Sequence, residues 1–150
     1  MTGLTLRPNS YENCLFPSPH AHPMTPDRII RSALWTSVGF NLLGVAVFLP
    51  AALGRPAWLL PIVAPPFYAA QLGMVIALFG GVYAWLARQA EICRPLVVVG
   101  ALGKLGFFLL FVVYWATGDM SARGVAQATP DLVLAAFFLW WVRVSRSDVS

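Results

Sequence analysis

Four long apolar runs restrict this chain more than any other feature of its sequence. The runs lie at about residues 29–49, 67–87, 96–116 and 129–142, the last starting near Thr129 or a little earlier. The first three hold about 20 residues each, which crosses the ~30 Å core of a bilayer at ~1.5 Å per residue. The sequence therefore predicts an all-α, four-helix transmembrane bundle (29–143) between a polar, proline-rich N-terminal tail (1–28) and a short C-terminal tail (144–150).

The composition agrees with a protein that lies in lipid. Hydrophobic residues make up 59% of the chain and charged residues 11%, whereas a typical globular domain is about one quarter charged. The formal net charge is +4, but the basic residues stand singly between apolar blocks and form no patch that would neutralise phosphates. We therefore predict the lipid bilayer as a partner and exclude nucleic acid.

The distribution of arginines predicts the orientation in the membrane. One side of the predicted bundle carries most of them, namely Arg7, Arg28, Arg31, Arg88, Arg94, Arg143 and Arg146. The other side carries Arg55 and Arg123. The positive-inside rule then places both termini in the cytoplasm, and the short connections predict an up-down bundle. Cys14 and Cys93 would both face the cytoplasm, where thiols stay reduced.

The connection between the first two runs is apolar but broken by prolines. It extends over residues 50–66 and includes Trp58. Prolines prevent it from being one regular helix. Two interpretations are open: a loop that lies in the outer interface, anchored by Trp58, or a cap over a cavity between the helices.

Lys104 is the residue that points most directly to a site. It lies about nine residues into the third run, near the bilayer midplane by helical rise. A charge at that depth costs at least a few kcal/mol, so it normally faces protein or water. Lys104 either has a structural role, reaching the cytoplasmic interface or capping carbonyls, or binds an anionic or carbonyl-bearing ligand or a carboxylate.

Other polar residues of the runs are candidate ligand contacts. Ser37 and Asn41 are four residues apart and share a helix face. They either form interhelical hydrogen bonds or contact a ligand. Gln71 lies in the outer third of the second run and is a further candidate.

Asp131 is the acidic candidate partner of Lys104. We expect a gap of about 10 Å or more between their depths, so a direct ion pair requires the fourth helix to start early or to tilt. The alternative is a first-turn acid, in which Thr129 caps the helix, Pro130 begins it and Asp131 complements its dipole.

Small residues recur in two of the runs and predict close helix packing. They are Ala69, Gly73, Ala77 and Gly81 in the second run, and Gly100, Gly103 and Gly106 in the third.

The motifs of most enzyme classes are missing from the sequence. No histidine lies in an apolar run, which argues against haem or chlorophyll held by imidazole within the bundle. Cys14, His20 and His22 match no metal-site spacing. There is no nucleophile–base pair, phosphate loop or HExxH helix. We therefore predict no catalytic residue and no metal site, favour a non-enzyme, and keep a quinone or a lipid as a candidate ligand.

Part of the sequence has a distinctive order of elements. Its segments are Gly80–Arg88, Arg94-Pro95, Val98–Lys104, Thr129–Leu132 and Trp140-Trp141. This order is similar to that of small, uncharacterised bacterial four-helix membrane proteins that are broadly DoxX-like. The resemblance covers roughly residues 31–142, although the loop at 89–93 lacks the Asp-Pro common in such proteins. It implies a bacterial inner-membrane protein, and DoxX-like proteins have been linked to quinone-dependent redox complexes.

Three functional hypotheses follow. The first is a non-catalytic accessory subunit of a larger inner-membrane complex of respiratory or photosynthetic type, with partner subunits or further copies of the chain packed on its small-residue stripes. The second is a small-molecule or quinone binder or transporter, with Lys104, Ser37, Asn41 and Gln71 around a midplane cavity. The third is a redox component that uses a quinone.

Overall fold

The computed structural model describes the backbone of residues 25–61 and 63–147, in which all regular structure is helical. The four helices are α1 (Thr25–Ala52), α2 (Pro66–Arg88), α3 (Arg94–Ala116) and α4 (Ala122–Ser147). Each is long and apolar enough to cross a membrane. The prediction of four helices that are long and apolar enough to span a membrane, with no strand in the described residues, is therefore confirmed. Residues 1–24, with Cys14, His20 and His22, lie outside the described residues.

Prolines and glycines determine where the helices begin and end. Pro66 begins α2 and Pro95 lies in the first turn of α3, where a missing backbone N–H costs nothing. Gly54 and Gly118 have positive φ angles of 69° and 85°. They follow the ends of α1 and α3, where a left-handed residue closes the last turn. The α2–α3 and α3–α4 connections are short, at residues 89–93 and 117–121, whereas the α1–α2 connection extends over residues 53–65.

The fourth helix begins at Ala122, well before the predicted start at Thr129. Pro130 lies inside it, and the Thr129 hydroxyl donates to the Val125 carbonyl at 3.1 Å instead of capping the helix. The prediction of a helix start at Thr129-Pro130 is therefore wrong. Thr-Pro-Asp is a typical start signal, but the alanine-rich segment before it has high helix propensity and extends the helix.

The helices pack as two main pairs, α1 with α2 and α3 with α4, and α1 also contacts α4. The α1–α2 contacts run from one end of the bundle to the other. The Arg31 guanidinium donates to the carbonyls of Ala87 and Ala90, both at 2.8 Å, and further along Gly44 packs against Ile76. The N-terminal end of α1 therefore lies beside the C-terminal end of α2.

The large buried side chains are concentrated towards the end of the bundle that carries Arg31. They include Ile30, Leu34, Tyr83, Leu86, Val97 and Phe138. Towards the opposite end, where residues 53–65 connect α1 to α2, the buried apolar side chains are alanines. We call this end the loop end. Packing is dense at one end and open at the other, which leaves space between the helices.

The small-residue stripe of α2 does not follow one packed face. Ala69 is buried and Gly73 lies near Phe48, but Ala77 and Gly81 are exposed on the surface of the bundle. Positions four apart advance by about 400°, so such a stripe drifts by about 40° per step. Ala77 and Gly81 therefore do not pack within the chain.

The three glycines of α3 also have different surroundings. Gly100 is buried against the ring of Tyr83, whereas a Cβ atom at Gly106 would have no neighbour within 4 Å. Gly103 lies against Phe79 and lines a cavity. Of the three predicted packing glycines, only Gly100 sits at a close contact between helices.

Cys93, just before α3, is disulfide-bonded. The prediction of a reduced thiol at this position is therefore wrong. Disulfides are typical of oxidising compartments, whereas the arginines around Cys93 favour the cytoplasm. The two signals disagree about which side of the membrane this loop occupies.

Candidate functional site

A buried ion pair joins α3 to α4. The Lys104 Nζ atom lies 2.7 Å from Asp131 Oδ1, and the two side chains are 5% and 9% exposed. Because α4 begins at Ala122, both residues lie about 14–15 Å into their helices by rise and meet at the same depth. The sequence predicts a direct Lys104–Asp131 ion pair only if the fourth helix starts early or tilts, and α4 does start early. The alternative, in which Asp131 is a first-turn acid, is wrong.

Aromatic rings enclose the ammonium group. Lys104 Nζ lies 5.5 Å from the ring centroid of Phe40 and 5.3 Å from that of Tyr83. Both distances permit cation–π attraction. The Tyr83 hydroxyl donates to the Gly100 carbonyl at 3.2 Å and so fixes the ring. The lysine is thus held by one carboxylate and two rings, away from lipid.

A cavity of about 410 Å³ extends from this ion pair towards the loop end. Its volume falls within the range of about 300–1,000 Å³ that is usual for ligand sites. The wall is mostly apolar and includes Phe40, Val47, Phe48, Leu72, Phe79, Phe107 and Phe111. Its polar groups belong to Asn41, Tyr83, Lys104, Gln127 and Asp131. A mostly apolar wall with a few convergent polar groups is the usual composition of a small-molecule site.

The connection between α1 and α2 contributes to the cavity wall at the loop end. Leu59, Leu60 and Pro61 line it, and the Gln127 amide donates to the Leu59 carbonyl at 3.2 Å. Pro61 also lies close to Gly124 of α4, where a Cβ atom would be only 3.2 Å from the proline Cβ. We call residues 59–61 the cap. The structure fits both interpretations of this connection: residues 59–61 line the cavity, and Trp58 is exposed, as an anchor in the interface would be.

Asn41 is the third predicted residue, beside Lys104 and Asp131, that lines the cavity. Its side-chain amide donates to the Ile76 carbonyl at 2.9 Å, which ties α1 to α2. Within the described residues its Oδ1 atom has no hydrogen bond and is available as an acceptor. Asn41 thus combines a packing role with a position on the wall.

Two predicted ligand contacts do not reach the cavity. Ser37 is fully buried in the dense end, and its hydroxyl has no hydrogen-bond partner within the described residues. Gln71 is exposed on the surface of α2, because the neighbouring Leu72 faces the cavity and one residue rotates a helix by about 100°. Ser37 and Gln71 are therefore not wall residues, in contrast to their predicted role.

Sequence reasoning missed several wall residues. Gln127 precedes the predicted start of the fourth helix near Thr129, so the sequence does not indicate on which side of the helix it lies. Phe40 and Phe79 are apolar residues in apolar helices, where every face is hydrophobic and periodicity carries little information. In the sequence, Tyr83 differs from its apolar neighbours only by its hydroxyl group, which does not reveal the helix face that it occupies.

The arrangement is suited to binding. The ion pair is neutral as a whole and supplies donor and acceptor atoms at one end of an apolar cavity. Within the described residues no group of three or more His, Cys, Asp or Glu side chains is arranged to hold a metal ion. The site can thus orient the polar group of a lipophilic molecule.

No family model, no curated protein and no solved structure matches this chain. Its chemistry is therefore inferred from its own geometry.

Proposed function

We propose that this chain is a multi-pass protein of the bacterial inner membrane that binds a lipophilic small molecule in the cavity between its helices. The observation that carries the proposal is the buried Lys104–Asp131 pair at the end of an apolar cavity of about 410 Å³. The candidate ligands include quinones, in keeping with the DoxX-like resemblance.

Energetics support a role beyond packing. A buried ion pair contributes little net stability, and well-packed apolar residues often replace it without loss. A large void is also unfavourable, because its wall atoms lose contacts. A ligand that fills the space beside the ion pair would therefore stabilise the bundle.

The ligand test fills the cavity without touching the ion pair. Gly103 lines the cavity, and a Cβ atom there would lie 3.5 Å from Phe79, an ordinary contact. Because Gly103 is itself exposed, the cavity is open at this position, and a Gly103→Leu side chain would occupy space at that opening. Gly106→Leu is the matched control, because that glycine lies in the same helix with no neighbour within 4 Å of its Cβ position.

We expect a lipophilic compound to co-purify from native membranes with the wild type and with Gly106→Leu, and to be lost from Gly103→Leu. Solvent extraction of the purified proteins followed by mass spectrometry measures this directly. Equal amounts of every extracted compound in all three proteins would refute binding in the cavity.

We also propose an up-down arrangement with both termini in the cytoplasm. The opposite order of residues along the α1–α2 contacts supports antiparallel neighbours, and the arginines support the orientation. A C-terminal alkaline phosphatase fusion should be inactive and a C-terminal fluorescent protein fusion active. The reverse result would favour the compartment that the disulfide at Cys93 indicates.

An accessory subunit is the second candidate function. Ala77 and Gly81 are exposed one turn apart on α2, and a shallow apolar groove there also includes Met74, Leu78 and Trp85. Small residues at a lipid-facing position let another helix approach. Partner subunits, or a second copy, should then co-purify in mild detergent and be lost from an Ala77→Leu/Gly81→Leu variant. A lone monomer would oppose it.

A further inference from the structure

The polar groups of the cavity are not evenly distributed along it. Lys104 and Asp131 lie about 14–15 Å into their helices, near mid-membrane depth, and the ring of Tyr83 lies beside Lys104. Asn41, also on the wall, already donates its amide to the Ile76 carbonyl. The other end is lined by the apolar cap, where the Gln127 amide already donates to the Leu59 carbonyl. A ligand that matches this distribution of polar and apolar groups has its polar group deep in the membrane and its apolar body towards the cap. That is the reverse of a phospholipid in a leaflet, whose head group lies at the surface.

The hydrogen-bonding capacity of the ion pair defines the polar group further. The lysine ammonium has three N–H donors, and within the described residues Asp131 Oδ1 is its one hydrogen-bond partner. Asp131 Oδ2 has no hydrogen bond within the same residues. The pair therefore presents free donors and a free acceptor side by side, and a ligand group that both accepts and donates engages both.

Because the ion pair has no net charge, the polar group of the ligand should be neutral. Lysine and aspartate cancel, so an added anion would lie close to the Asp131 carboxylate and an added cation close to the Lys104 ammonium. Either would bring an uncompensated charge into a low-dielectric site, which is costly. A ketone is neutral but only accepts, and a hydrocarbon does neither. A hydroxyl group accepts from the ammonium and donates to the carboxylate without changing the charge.

We propose that the cavity binds a lipophilic alcohol head-first, with its hydroxyl group between Lys104 Nζ and Asp131 Oδ2 and its apolar body under the cap. This inference rests on the proposed function, because it assigns the chemical class of the ligand to the same cavity.

The test uses four probes with similar tails: decanol, decanone, decanoate and decane. Binding of tritiated decanol is measured on the full chain in nanodiscs of uncharged phosphatidylcholine, with the unlabelled probes as competitors. Specific binding is the difference between the wild type and Gly103→Leu. We expect decanol to compete at least about tenfold better than each other probe, since one hydrogen bond to a charged group is worth about 1.5–3 kcal/mol.

A second variant tests the ion pair itself. In Lys104→Met/Asp131→Leu the charges are replaced by apolar side chains of similar size, and decanol and decane should then compete equally. If the wild type binds decanol more than Gly103→Leu does, but the other probes compete as well as decanol, the cavity is a binding site and the assignment of an alcohol is wrong. Equal decanol binding by the wild type and Gly103→Leu would also overturn it, and the co-purified compounds would then decide the proposed function separately.

Discussion

Lys104→Met should lower the free energy of unfolding by about 3–5 kcal/mol, because it leaves the Asp131 carboxylate buried without its partner. The double variant Lys104→Met/Asp131→Leu should recover most of this loss, since apolar residues of similar volume often replace a buried ion pair at no cost. Reversible unfolding in mixed micelles, followed by circular dichroism, gives both values. The stability that is recovered in the double variant separates the interaction energy of the pair from the cost of burying each charge.

The same double-mutant cycle can also contradict an energetic coupling between Lys104 and Asp131. If the losses of Lys104→Met and Asp131→Leu simply add in the double variant, the two residues are not coupled, and the 2.7 Å contact contributes nothing. Asp119→Asn is the matched control, because Asp119 is exposed at the α3–α4 turn and bonds the Thr117 hydroxyl. It should leave the unfolding curve unchanged.

The same glycine-to-alanine change should have opposite effects at two positions of α3. At Gly100 a Cβ atom would lie 2.7 Å from Tyr83 Cε1, and the ring is held by its hydroxyl bond to the Gly100 carbonyl. Gly100→Ala should therefore destabilise the bundle by about 1–3 kcal/mol through overpacking. At Gly106 there is open space, and Gly106→Ala should stabilise α3 by up to about 1 kcal/mol through helix propensity.

Unfolding of the two variants under the conditions above measures this difference. Equal effects at both positions would mean that Tyr83 moves aside freely and does not position Lys104. A shifted Tyr83 ring would also show in near-ultraviolet circular dichroism of Gly100→Ala, a signal that Gly106→Ala should leave unaltered.

The helices could be predicted because their signals agree. The bounds of α2 and α3 differ little from the predicted runs, since length, hydropathy and flanking prolines and arginines all mark the same ends. At α4 the signals conflict: Thr129-Pro130-Asp131 is typical of a helix start, but the preceding alanines continue the helix. That one boundary decided whether Lys104 and Asp131 could meet.

The site was only partly predictable for a related reason. Lys104, Asn41 and Asp131 stand out because polar residues are costly in apolar helices. Which face each one occupies depends on helix rotation, and a lipid-facing surface is as hydrophobic as a core. Ser37 and Gln71 were therefore assigned to a cavity that they do not line. Gln127 could not be assigned to the wall without the tertiary contacts, and the sequence left the cap as one of two interpretations of residues 50–66.

The attachment of the cap has an evolutionary consequence. Gln127 bonds the main-chain carbonyl of Leu59, so the identity of the side chain at position 59 does not determine whether the cap stays attached. Gly124 likewise accommodates Pro61 through the absence of a side chain. Sequence changes at the leucines of the cap are therefore compatible with its attachment, whereas changes at Gln127 or Gly124 would disturb it.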